Sequence, residues 1–77
     1  MTARSQASWF VDNLLRHWPS INGSNARAII ESLSDEQYMH LKRLYYKGFA
    51  SSDAQPADMG ARALLDSELS KLGILPL

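Results

Sequence analysis

The side chains with reactive potential are few and scattered. His17 and His40 each stand alone, with no carboxylate or second histidine at ligand spacing, so neither is expected to hold a metal. No serine sits in a nucleophile elbow, and the glycines form no phosphate-cradling loop. No catalytic residue and no cofactor are therefore expected, and the reading is of a protein that is not an enzyme.

What the chain does offer is recognition chemistry. The stretch Ser34 to Gly48, S-D-E-Q-Y-M-H-L-K-R-L-Y-Y-K-G, is where basic and aromatic side chains crowd together. At helical spacing Tyr38, Leu41, Leu44 and Tyr45 share one face and are expected in the core. Met39, His40, Lys42, Arg43, Tyr46 and Lys47 then lie on the other side. Cations beside aromatic rings can grip phosphates while stacking on bases or partner groups. A solvated face whose charges complement the helix C-terminus explains most of the same residues.

Two further candidates lie at the ends. Trp9 falls opposite Phe10, Leu14 and Trp18 on the first helix, beside Asn13 and Arg16. An exposed tryptophan with a nearby arginine is the composition of a binding hot spot, unless another segment such as the C-terminal tail folds over it. The tail Ile74-Leu75-Pro76-Leu77 follows a helix-ending glycine. Ile74 is expected to pack back onto the last turn, whereas Leu75 and Leu77 reach further and are candidates for a groove on a second copy. The expected partner-binding set is thus Trp9, Arg16, Lys42, Arg43, Tyr46, Lys47, Leu75 and Leu77.

Four helical segments must position these residues, and none shows sustained strand alternation. Phe10, Val11, Leu14, Leu15 and Trp18 form the first apolar face, with Ser5 or Ser8 as N-cap and Pro19 as the stop. After the turn chemistry of Pro19 to Gly23, Ser24 or Asn25 is the expected cap of a short second helix with an Ala26, Ile29, Ile30, Leu33 stripe. The third helix has Ser34 as N-cap and Gln37 three residues on, a capping-box pattern. Asp35 and Glu36 in its first turn and Lys47 in its last suit the helix dipole, and Gly48 suits C′. A polar loop covers Phe49 to Gln55. Pro56 is placed in the first turn of the fourth helix, capped by Asp53 or Gln55, with Ala61, Leu64, Leu65, Leu69 and Leu72 as its apolar face and Gly73 as its end. Gly60 marks either a late helix start, the favoured reading, or a close backbone approach.

The expected architecture is all-α: a compact bundle of four short helices in one domain over residues 1–77, ordered from about residue 8 to 74, with the first and fourth helices as the main packing pair. A chain of 77 residues without cysteine has no disulfide or thiolate site to stabilise it. Such a chain buries only about 60% of its unfolded surface, so self-association or a bound partner is a reasonable expectation from size. Net charge is zero, which argues against coating nucleic acid. Bases outnumber acids up to Ala50 and acids outnumber bases after it, an asymmetry that would suit self-pairing. No apolar run reaches the length of a membrane span, and M-T-A-R-S-Q-A-S lacks the apolar stretch of a signal peptide, so a cytoplasmic location is expected.

Leu33 to Gln37, L-S-D-E-Q, followed by L-K-R-L-Y-Y-K-G at Leu41 to Gly48, is similar to the opening helix of the DNA-binding region of sigma factors and related helix-turn-helix regulators. The resemblance implies a short turn and a basic recognition helix to follow. Here a long loop and an acidic, leucine-rich helix follow instead, and no family is assigned. The favoured reading is a small non-enzymatic protein–protein interaction module, a regulator, adaptor or inhibitor of the size common among bacterial and phage accessory proteins. The alternative is a small dimeric DNA-binding transcriptional regulator setting His40, Lys42, Arg43 and Lys47 against phosphates.

Overall fold

A computed structural model of the chain describes residues 3–49 and 58–75. They form four helices and no strand: α1 (Ala3–His17), α2 (Gly23–Glu31), α3 (Asp35–Gly48) and α4 (Met59–Lys71). The all-α bundle expected from the periodicity is the observed fold.

The close helix pairs are α1 with α2 and α3 with α4, not α1 with α4 as the sequence led us to expect. Local chain geometry explains the first pair. Pro19 ends α1, five residues reverse the chain, and Gly23 then lies within 3.7 Å of Leu15 and 3.9 Å of Val11 when given a Cβ. The cap of α2 is Asn22 rather than Ser24 or Asn25, its side chain accepting from the Asn25 amide at 3.1 Å. α1 itself already runs from Ala3, with Ala3 and Ala7 buried, so Ser5 and Ser8 lie inside the helix rather than at its cap.

In α3 the expected capping box is present: Ser34 Oγ accepts from the Gln37 amide at 3.2 Å, and Gln37 Oε1 accepts from the Ser34 amide at 3.0 Å. Gly48 is the last helical residue and not a left-handed C′, because Phe49 forms the cap. Its importance is steric. A Cβ on Gly48 would stand 2.8 Å from Arg62 Cγ and 3.0 Å from the Arg62 amide nitrogen, so the glycine lets the start of α4 cross the end of α3 backbone to backbone. The crossing is fastened by Arg62 Nε donating to the Gly48 carbonyl and by the Asp58 amide donating to the Lys47 carbonyl at 2.9 Å.

α4 starts late, as the Gly60 reading favoured, with Asp58 as its N-cap accepting from the Ala61 amide at 3.2 Å. Asp53, Gln55 and Pro56 lie outside the described residues. Ala61, Leu65 and Leu69 are buried, but Leu64 points outward at 56% exposure. It lies about a hundred degrees around the helix from Leu65, beyond the stripe that meets α3. α4 ends in a Schellman motif: Gly73 has φ 82, its amide donates to Ser70 O at 3.1 Å, and Ile74 donates to Leu69 O at 2.9 Å.

The core runs through all four helices, from Phe10 and Leu14 through Ile30 and Tyr38 to Leu65 and Leu69, and none of the described buried side-chain polar atoms lacks a hydrogen-bond partner. Two changes test this construction. Ser34→Ala removes half of the capping box and is expected to cost about 1 kcal/mol in urea denaturation. Gly48→Ala, which helix propensity alone would favour, is expected instead to destabilise by about 1–2 kcal/mol, because the Arg62 backbone has to move.

Candidate functional site

The chain's two tryptophans, three tyrosines and two phenylalanines lie along one seam, where α1 and α3 run side by side in the same direction. The register is constant: Ala3 N donates to Asp35 Oδ1 at 3.3 Å, Tyr38 Oη to Gln6 Oε1 at 2.6 Å, and Tyr45 Oη to Asn13 Oδ1 at 3.2 Å, each across 32 residues. Between these polar ties Phe10 meets Tyr38 edge-on at 5.4 Å and Tyr45 at 6.0 Å. Such geometry matches the ring quadrupoles, and the tyrosine hydroxyls find acceptors at the seam's rim. Tyr38 is fully buried. Burial, and secondarily Tyr46, pushes its hydroxyl up to about 12.

The outer edge of this seam gathers three of the eight expected binding residues. Trp9 on α1 and Tyr46 on α3 have ring centroids 6.4 Å apart and remain 42% and 46% exposed. Lys42 joins them: its Nζ lies 5.4 Å from the Trp9 ring centroid, 5.9 Å from that of Tyr46 and 6.0 Å from that of Tyr38. It also donates to Gln6 Oε1 at 3.1 Å. Two surfaces that the sequence presents separately, around Trp9 and around Lys42 and Tyr46, are therefore one. The partial cover over Trp9 comes from α3.

Arg16 follows Trp9 two turns along the same side of α1, exposed. Arg43 lies on the outer face of α3, in a shallow open groove with Asp35, Glu36 and Met39. Lys47 is exposed, and His40, two turns before it on the same face of α3, lines a small recess with Leu33, Gln37 and the α4 residues Glu68 and Leu72. Leu75, expected to reach for a second copy, is only 7% exposed: the Schellman turn folds it back and its amide donates to Leu69 O at 3.3 Å. Leu77 lies outside the described residues.

Sequence reasoning missed three contributors. Gln6 and Asn13 carry no signal in the sequence, and only the neighbouring helix makes them acceptors for tyrosine. Arg62 is not singled out by the sequence, yet its guanidinium stacks 4.7 Å from the Phe49 ring centroid while donating to the Gly48 carbonyl at the end of α3. A shallow opening lies there, between Trp18, Phe49, Met59 and Asp66, with Trp18 Nε1 donating to Asp66 Oδ2 at 3.3 Å. Met59 is 64% exposed on its rim. Among the described residues no three His, Cys, Asp or Glu side chains gather in a way that could hold a metal ion, and no helix is long and apolar enough to cross a membrane.

No protein-family model, curated protein or solved structure matches this chain.

His17 closes the seam, its ring 4.3 Å from that of Phe49 and 5.8 Å from that of Tyr45. Partial burial first, then the charges of Arg62 and Arg16, lower its pKa from 6.5. Folding thus favours the neutral ring. That contribution is in place above 6.5 and is lost as the pH falls through the lowered folded value. Tyr38 acts in the opposite direction: its stabilising burial as the neutral phenol is complete below 10 and is lost as the pH rises towards about 12. Urea midpoints measured across pH are expected to fall on both sides. His17→Gln should flatten the acid limb and Tyr38→Phe the alkaline one.

Proposed function

We propose that this chain is a small, non-enzymatic protein–protein interaction module, acting in the cytoplasm as a regulator, adaptor or inhibitor of the bacterial or phage accessory kind. The observation that carries the reading is the exposure of Trp9 and Tyr46 side by side on one rigid seam, with Met39 at 38% exposure nearby. Tryptophan and tyrosine dominate binding hot spots because each removes a large apolar area from water on docking. These rings sit on helices and are held by the register of the seam, so little ordering entropy opposes association.

The charges around the patch favour a protein partner over DNA. Arg43 shares its groove with Asp35 and Glu36. A continuous phosphate backbone laid along α3 would meet those carboxylates. Self-pairing loses one of its supports with the burial of Leu75.

The test is recovery of tagged protein from its native host after nuclease treatment, with identification of what is retained. A protein partner is expected at a stoichiometric level, little changed by raising salt, and reduced about tenfold or more by Trp9→Ser with Tyr46→Ser. Retention of nucleic acid that weakens steeply with salt, and is indifferent to those two changes, would overturn the reading.

A further inference from the structure

None of the cations beside the aromatic patch forms an ion pair among the described residues. Among the described residues the ion pairs are Arg27 with Glu31 at 3.0 Å and Lys71 with Glu68 at 3.6 Å, each within one helix and away from the seam. Arg16, Arg43 and Lys47 enter none. Lys42 is the decisive case. The residue is half-buried, its ammonium lies 5.4 to 6.0 Å from the Trp9, Tyr46 and Tyr38 ring centroids, and its hydrogen-bond acceptor is the neutral Gln6 Oε1. An ammonium has three donors, and this acceptor satisfies one. Ring faces hold a cation by their quadrupoles but do not neutralise it.

A fixed positive charge, walled by apolar rings and lacking a carboxylate, is complementary to one kind of surface. We infer that the Trp9–Lys42–Tyr46 patch docks an acidic amphipathic peptide or helix of a partner protein, with a carboxylate over the Lys42 ammonium and apolar side chains on the Trp9 and Tyr46 rings. This rests on the interaction-module reading and names its partner's chemistry.

The surroundings set the spacing of charge on that partner. Arg16 is exposed two turns beyond Trp9 on α1 and Arg43 is exposed on α3, so acids beside an apolar centre find a further cation on each helix. Asp35 and Glu36 bound the groove next to Arg43. They leave room for single carboxylates near Lys42 and Arg16 but oppose a uniform polyanion. The preference is thus for isolated Asp or Glu beside Leu, Phe or Met, and against a nucleic acid.

A randomised peptide library displayed and selected on the immobilised full chain, with depletion on the Trp9→Ser/Tyr46→Ser variant, tests this directly. Recovered peptides are expected to place Asp or Glu within a turn of large apolar residues. The tightest of them should lose about tenfold in affinity against Lys42→Gln, and a similar factor when its own Glu is changed to Gln. Circular dichroism of Lys42→Gln must match the parent protein for that loss to count. Peptides that bind at the patch with no acidic enrichment, or that ignore both changes, overturn the acidic assignment and leave the module reading standing. A library that yields nothing beyond the depleted variant overturns the acidic assignment, and the module reading then stands or falls on the host recovery experiment. Displacement of selected peptides by a single-stranded oligonucleotide at low micromolar concentration overturns both.

Discussion

The parallel contact between α1 and α3 is the constraint on which the rest of the molecule depends. These two helices are separated in sequence by a whole helix and two turns. What joins them is a column of aromatic rings, with Phe10 inserted edge-on between Tyr38 and Tyr45. Each tyrosine hydroxyl is satisfied by an α1 amide, Gln6 for Tyr38 and Asn13 for Tyr45. Gln6 and Asn13 are about two helical turns apart, as are Tyr38 and Tyr45, so both bonds form only in one register. A slip by one turn would bury two hydroxyls without partners, at a cost of about 1–3 kcal/mol each.

The other two helices are hung on this seam. α2 is folded back on α1 by a short turn and covers its far side, while α4 is pinned to the end of α3 by the glycine crossing at Gly48. Because α4 meets α3 along a narrow stripe, Leu64 and Met59 remain outside. The same arrangement explains why the exposed aromatic patch lies where it does. The seam has an inner edge that the core covers and an outer edge that nothing in the described chain covers. Trp9, Lys42 and Tyr46 occupy that outer edge together.

Much of the fold was legible locally. Pro19 stops α1, the Ser34–Gln37 box starts α3, and Gly73 ends α4, since each acts through backbone bonds within a few residues. The apolar faces of α1, α2 and α3 were legible too, because burial follows helical period. The starts of α2 and α4 were not: several Ser, Asn and Asp residues compete there, and the choice of Asn22 and Asp58 depends on where the preceding chain arrives. Gly48 was read as a helix terminator on sound grounds, and only the crossing backbone of Arg62 gives it its actual importance. For the site, residue types pointed to Trp9, Lys42 and Tyr46 one by one. Leu75 looked equally available, and the turn at Gly73 carried it inward.

The amino-acid sequence by itself determined an all-α chain, three of its helix boundaries and most of its buried stripes, because these follow from periodicity and capping over short distances. Tertiary structure alone decided which helices pair, that α1 and α3 run parallel, and that an exposed tryptophan and a basic-aromatic helix make a single surface. The reason is physical: side-chain pairs many residues apart are selected by the joint geometry of two rigid helices, and neither helix carries that geometry alone.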